Sequence, residues 1–165
     1  MTSETIMTRR AKLLAALLLL VALVLPQSTC AGYRGPDGRF VTRVPADAPP
    51  DTYRPAVERS YAYDEFRLRQ PDTWPNVLVF LWPLPLLTIT ARHPAGRVRF
   101  AVWVAEPLLA VGSAYMIWLF ASTLATPAVG AYLGVTAMAL YLLAWLVELW
   151  STVRARRLQA AARRS

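Results

Sequence analysis

Two glutamates within apolar blocks are the residues whose type and position suit them best to chemistry. Glu106 lies seven residues after Arg99, and Glu148 lies six residues before Arg154. At about 1.5 Å per helical residue, each carboxylate would lie roughly 10 Å along a helix from its arginine, so the two could face each other in one layer. Ionisable groups inside a membrane often mark ion or proton pathways. The pair is therefore a candidate intramembrane ionisable site.

A structural role would explain the same two glutamates. Pro107 suits the first position of a helix, which predicts that Glu106 caps a span beginning there. Glu148 is expected to reach the headgroup level, or to pair with Arg97, with Arg99 or with a basic residue of a partner. The sequence leaves the ionisable site and the structural role open.

The patterns of an enzyme or a metal site are missing from the sequence. One cysteine, Cys30, and one histidine, His93, exclude an internal disulfide and a multi-ligand Cys/His metal site within one chain. Ser113 lies in an apolar block that has no histidine to activate it. No metalloprotease, phosphate-loop or dinucleotide-binding motif occurs. We expect a non-enzymatic protein with no cofactor and no metal.

Cys30 suggests a different chemistry, because it follows a segment that resembles a secretory signal. A basic stretch, 8–12, precedes an apolar run, 13–25, that ends at a proline. Three fates stay open: cleavage near Ala31, cleavage with lipidation at Cys30, or retention as a signal anchor. Gln27 and Thr29 depart from the usual residues before a lipidated cysteine. All three fates place Cys30 outside the cell membrane.

Three further apolar blocks would position the glutamates, and each is long enough to cross a bilayer as a helix. They cover about 74–91, 100–124 and 128–150. Pro83 and Pro85 remove two backbone donors from the first of these blocks. We therefore predict a kinked span there.

The last two spans are joined by a short turn around Thr126, which predicts an antiparallel helical hairpin. Gly130 and Gly134 give the last span a GxxxG spacing, which allows helices to approach closely. The sequence favours packing within this hairpin and leaves pairing between two copies as the alternative.

The distribution of charge predicts the side of the membrane that each part occupies. Stretches before the first block, between the second and third, and after the fourth carry eleven basic residues and one acid, whereas 32–73 carries seven of each. Short cytoplasmic loops are rich in Lys and Arg. The kinked block must cross if all basic stretches are to share one side. A net charge of +8 could indicate nucleic acid binding, but the placement of the basic residues makes it a topology signal and disfavours nucleic acid as the partner.

The segment 32–73 is rich in proline and tyrosine, and it is too short to fold readily alone. We expect little regular structure in it, apart from a small hairpin at 36–38 and either a helix or a strand at 55–69. Its aromatic residues indicate that it folds against the bundle or a partner. At the other end of the chain, five arginines would attract anionic lipid headgroups. They are Arg154, Arg156, Arg157, Arg163 and Arg164.

The sequence as a whole predicts an all-α membrane protein. Three transmembrane helices, a kinked helix plus an antiparallel helical hairpin, follow an N-terminal signal peptide or signal anchor. The predicted segments are 1–31 for the signal or anchor, 32–73 outside the membrane, 74–152 for the bundle and 153–165 for a basic cytoplasmic tail. The bias of arginine over lysine suggests a bacterial source, so we expect the cytoplasmic (inner) membrane, with 32–73 periplasmic and the C-terminus cytoplasmic.

Three functions are compatible with these features. The first is an accessory or scaffold subunit that engages another membrane or envelope protein. The second is a small transporter or channel component that uses Glu106 and Glu148. The third is a lipoprotein acylated at Cys30, with a binding role outside the membrane.

Overall fold

A computed structural model describes residues 3–49, 52–64, 74–93, 95–124 and 126–162. Helices make up most of the described residues. Its helices are α1 (Ser3–Val24), α2 (Trp74–Leu81), α3 (Pro83–Arg92), α4 (Arg97–Leu124) and α5 (Val129–Ala162). Its strands are β1 (Ser28–Arg34), β2 (Phe40–Val41), β3 (Arg54–Ser60) and β4 (Thr126–Pro127).

Two helices, α4 and α5, are long and apolar enough to cross a membrane, and α2 with α3 forms a third candidate if the pair is one span. The prediction of a mainly helical membrane protein with transmembrane helices is thereby confirmed. α1 is not among these candidates by composition. Its uninterrupted apolar stretch, 13–24, is shorter than a typical span, and three basic residues precede it.

The α2–α3 pair bends by 47° at Trp82, as either a broken span or a re-entrant segment. Pro83 and Pro85 lack the amide hydrogens that would continue the helix ladder, and Pro83 stands in the first turn of α3, where a missing donor is harmless. The last bond of α2 is made by the Trp82 amide, which donates to the Leu78 carbonyl at 3.1 Å. The two prolines therefore end one helix and begin another.

A small antiparallel sheet replaces the irregular segment that the sequence predicts, so the all-α prediction is wrong in this respect. β1 pairs with β3 along its whole length, from Ser28 opposite Ser60 to Arg34 opposite Arg54. β2 pairs with β1 across a turn in which Gly38 has a positive φ of 77°. Of the stretch 55–69, residues up to Ser60 form a strand, and 65–69 lie outside the described residues.

The sheet is tied to the helices at two points, which explains why a segment of this size has regular structure. β1 follows α1 after three residues, and β4, in the turn between α4 and α5, pairs with the start of β1. The Ala128 amide donates to the Gln27 carbonyl at 2.9 Å. The bundle thus supplies the support that a segment of this length lacks alone.

α1 packs mainly against α5, and the two helices are antiparallel. Ala15, Leu19 and Ala22 of α1 are fully buried in a core shared with Met138 and Tyr141 of α5. Alanines on both helices allow the backbones to come close. We call the end of the bundle that carries Arg9, Arg92, Arg99 and Arg154 the basic end, and the opposite end the sheet end.

Candidate functional site

The two glutamates that the sequence singles out lie in one layer of the bundle, and Lys12 of α1 lies between them. The Lys12 ammonium donates to Glu106 Oε2 at 2.5 Å and to Glu148 Oε2 at 2.8 Å. One cation therefore joins α1, α4 and α5. We call Lys12, Glu106, Glu148, Tyr141 and Arg99 the charge cluster.

Each carboxylate of the charge cluster uses both of its oxygens. The Tyr141 hydroxyl donates to Glu106 Oε1 at 3.0 Å, and Arg99 Nη2 donates to Glu148 Oε1 at 3.3 Å. The Lys12 ammonium also lies 5.5 Å from the centroid of the Tyr141 ring, within the range of a cation–π contact. With two acids and two bases, the cluster is neutral overall.

Burial differs across the charge cluster. The exposed fraction of the side chain is 7% for Lys12 and 2% for Glu106, but 21% for Glu148. Removing one partner of a buried ion pair leaves an uncompensated charge and costs about 3–5 kcal/mol. Replacing Lys12 or Glu106 by a neutral residue would therefore leave the charge of the other uncompensated and destabilise the bundle.

Helical spacing explains why these residues meet. Arg99 and Glu106 lie seven residues apart on α4, and Tyr141 and Glu148 lie seven apart on α5, so each pair shares one helix face across two turns. Because the helices run antiparallel, Glu106 meets Tyr141 and Arg99 meets Glu148. Lys12 joins them because it continues the buried stripe of α1 that includes Ala15, Ala16 and Leu19.

The sequence-based expectation that Glu106 caps a helix at Pro107 is wrong. Pro107 lies inside α4, and Glu106 is buried. A proline within a helix leaves the carbonyl four residues earlier, here that of Trp103, without its usual amide donor. The Trp145 indole nitrogen donates to this carbonyl at 2.9 Å, so the neighbouring helix supplies the missing donor. Of the two arginines expected near Glu148, Arg99 makes the contact and Arg97 is exposed.

A cavity of about 220 Å³ adjoins the charge cluster at the basic end. Its walls come from α1, α3, α4 and α5, and both Glu106 and Glu148 border it. The other basic residue on its wall, besides Lys12 and Arg99, is Arg9. Both carboxylates of the charge cluster thus lie beside open space.

The two glycines of the GxxxG spacing make two different contacts within one chain. A Cβ atom on Gly130 would lie 2.8 Å from the Leu25 carbonyl oxygen and 2.7 Å from that of Pro26, so this glycine lets the end of α1 approach α5. A Cβ atom on Gly134 would lie 3.1 Å from Ile117 Cδ1 of α4.

Cys30 lies in β1, half-buried and opposite Glu58 of β3. Its thiol sulfur is 3.8 Å from the Ala31 carbonyl oxygen.

Pro83 is buried and Pro85 is exposed. Of the tail arginines, Arg154, Arg156 and Arg157 lie on α5, which continues well beyond the predicted end of the span, and Arg163 and Arg164 lie outside the described residues.

Two members of the cluster, Lys12 and Tyr141, were not predicted from the sequence. Lys12 was interpreted as one of the basic residues of a signal peptide. Its role was nevertheless indicated, because it is the single lysine among 18 basic residues and lies three, four and seven positions before the alanines and the leucine of the buried stripe. Tyr141 gave no sign of its role, since one more aromatic residue in an apolar span is ordinary.

Within the described ranges, no group of three His, Cys, Asp or Glu side chains could hold a metal ion. The charge cluster can hold paired charges in an apolar setting and fix three helices in register. No protein-family model, curated protein or solved structure matches this chain.

Proposed function

We propose that the protein is a non-enzymatic, polytopic protein of a bacterial cytoplasmic membrane, acting as an accessory or scaffold subunit of an envelope complex. In this proposal α1 is retained as a fourth membrane helix. Retention of α1 rests on the position of Lys12 between Glu106 and Glu148, 2.5 Å and 2.8 Å from their carboxylates.

Retention of α1 is supported by the consequences of losing it. Without α1, and counting only partners among the described residues, Glu106 would keep Tyr141 alone and Glu148 would keep Arg99 alone. The faces of α5 that cover Leu19 and Ala22 would also become exposed. An uncompensated buried charge is strongly destabilising. Cleavage near Ala31, or before a lipidated Cys30, would also cut the chain inside β1, the central strand of the sheet.

The sidedness of the proposal follows the positive-inside rule. The ends of α1, α3, α4 and α5 that carry arginine lie at the basic end, which is assigned to the cytoplasm. The sheet end is then periplasmic. In this arrangement Lys12 enters the membrane as a charge paired with two carboxylates, which removes one of the obstacles to α1 as a spanning helix.

A scaffold role is supported by the surfaces that the bundle presents. Val57 of β3 is 66% exposed and Tyr33 of β1 is 38% exposed, although both belong to a regular sheet held by the bundle. A positioned sheet with exposed apolar side chains suits protein contact better than it suits a linker. At the other end, the arginines of α5 suit anionic lipid.

Site-specific photo-crosslinking tests the scaffold role. A photoreactive residue at Val57 should give a cross-link to one envelope or membrane protein in intact cells, and the tagged partner should retrieve this chain in return. The matched control is the same residue at Leu143, which is 60% exposed on α5 and would face lipid. Absence of any protein cross-link from Val57, or the same adducts from both positions, would argue against a scaffold.

A second candidate function, a small transporter or channel component, is favoured by the cavity beside both glutamates. It predicts proton or cation flux in proteoliposomes that is lost when Glu106 and Glu148 are both changed to glutamine. Glu58→Gln, on exposed β3, is the control and should leave flux intact. Equal flux in the double variant and the parent, or none in either, would remove this candidate.

A further inference from the structure

We infer that the basic-end cavity binds the phosphodiester headgroup of an anionic phospholipid from the inner leaflet. The inference rests on the proposed function in two respects: Thr8, Arg9 and Lys12 line the cavity only if α1 is retained, and the inner leaflet follows from assigning the basic end to the cytoplasm. It adds a ligand site within the bundle, separate from the arginines at the end of α5.

The charge balance of the cavity fits a monoanion. Of the residues that the structure describes, three basic ones, Arg9, Lys12 and Arg99, and two acidic ones, Glu106 and Glu148, line its wall. Lys12 and Arg99 are paired with these glutamates. Among the described residues, Arg9 forms no salt bridge with a carboxylate, so it supplies the surplus positive charge. A lipid phosphodiester carries one negative charge, which Arg9 would balance.

The residue types on the wall suit phosphate. A guanidinium is planar and offers five N–H donors in a fixed arrangement, which allows two parallel bonds to phosphate oxygens. Arg9 comes from α1 and Arg99 from α4, so the two guanidinium groups reach the cavity from different helices. Thr8 also lies on the wall. Basic pockets between transmembrane helices on the cytoplasmic side are typical lipid headgroup sites.

The rest of the wall favours a lipid over a free phosphate ion. Leu87, Ala91 and Trp103 give the cavity an apolar side. Trp103 also stacks on Phe100, with ring centroids 6.3 Å apart, and contacts the tilted ring of Trp145 at 5.1 Å. Such aromatic groups mark the level of the membrane interface. The volume, about 220 Å³, is below the range of roughly 300–1,000 Å³ for drug-sized ligands. The cavity therefore accepts a headgroup, and the acyl chains stay in the bilayer.

Native mass spectrometry of the full-length protein, stripped of lipid in detergent and titrated with phosphatidylglycerol, tests the site. The parent should bind one phosphatidylglycerol in preference to phosphatidylcholine. Arg9→Gln should weaken that binding by about five-fold, the effect expected for one basic residue near a lipid phosphate. The matched control is Arg10→Gln, which removes an adjacent, exposed arginine that does not border the cavity and should leave binding unchanged.

Three results would overturn the inference: equal affinity of the Arg9 and Arg10 variants, no preference for phosphatidylglycerol, or displacement of the lipid by excess inorganic phosphate. The last would assign the cavity to a free anion. The same spectra report the intact mass of the chain. A full-length chain without lipid preference refutes the lipid site alone, whereas a chain that lacks α1 refutes the retained helix of the proposed function.

Discussion

The indole nitrogen of Trp145 donates a hydrogen bond to the carbonyl oxygen of Trp103 at 2.9 Å, and that carbonyl is the one that Pro107 leaves without a backbone donor. A proline one residue after Glu106 would ordinarily weaken α4 at the level of the charge cluster. The contact lets α4 continue to Leu124 and links it to α5. The hairpin is therefore held by a side chain that compensates for a backbone defect.

This contact predicts a coupling between Trp145 and Pro107. Trp145→Phe keeps an aromatic ring but removes the donor, and leaving a buried carbonyl unpaired costs about 1–3 kcal/mol in the free energy of unfolding. In a Pro107→Ala background the restored amide can donate to Trp103, so the same change should cost less. Chemical unfolding in detergent, followed by circular dichroism, measures this double-mutant cycle. Equal costs in both backgrounds would show that the contact does not compensate for the proline.

Lys12 should be essential for stability, and its loss should be repaired by removing charge from its partners. Lys12→Met leaves the buried Glu106 and the partly buried Glu148 without their shared cation and should cost about 3–5 kcal/mol. Lys12→Met combined with Glu106→Gln and Glu148→Gln removes the uncompensated charges and should recover much of that loss. Arg10→Met, on the exposed side of α1, is the control. If Lys12→Met and Arg10→Met unfold at the same denaturant concentration, the charge cluster does not hold α1 in the bundle.

Three glycine-to-alanine changes should differ in their effect on the stability of the bundle, in an order set by the space around each glycine. Gly130→Ala should be the most destabilising, because its Cβ atom would lie less than 3 Å from two backbone carbonyl oxygens at the end of α1. Gly134→Ala should be milder, since the atom that must move is the end of the Ile117 side chain. Gly112→Ala meets open space and should stabilise α4 by about 0.5–1 kcal/mol. Thermal unfolding in one detergent compares the three, and a tolerated Gly130→Ala would contradict the packing of α1 on α5.

Reporter fusions should place the two ends of the bundle on opposite sides of the membrane. Alkaline phosphatase, which is active outside the cytoplasm, should be inactive after Ser165 and active when inserted at the turn near Asp47. A fluorescent protein that matures only in the cytoplasm should give the opposite result. Activity of the C-terminal phosphatase fusion would invert the proposed sidedness.

The sequence predicted the features that depend on local patterns. Apolar length indicated the two long helices, Pro83 and Pro85 indicated the bend, and the turn at Thr126 separates α4 from α5 as expected. The membrane class and the presence of transmembrane helices follow from composition and are confirmed. The exact topology and the sidedness stay predictions.

Features that depend on contacts distant in sequence could not be predicted. Lys12 and Glu148 are 136 residues apart, and no local pattern reports that a basic residue of a signal-like segment pairs with both glutamates. The hairpin near 36–38 was expected, but the pairing of β1 with β3 and β4 was missed for a related reason, because those strands come later in the chain. Pro107 was interpreted as a helix start because the donor that allows it inside a helix, Trp145, comes from another helix.

The central claim is that α1 is a permanent part of the bundle. It is tested most directly by the intact mass of the protein purified from its own cells. We predict the mass of a chain that retains α1, with an unmodified thiol at Cys30. A mass that lacks the first 29 to 31 residues, with or without a diacylglyceryl group on Cys30, would contradict the account.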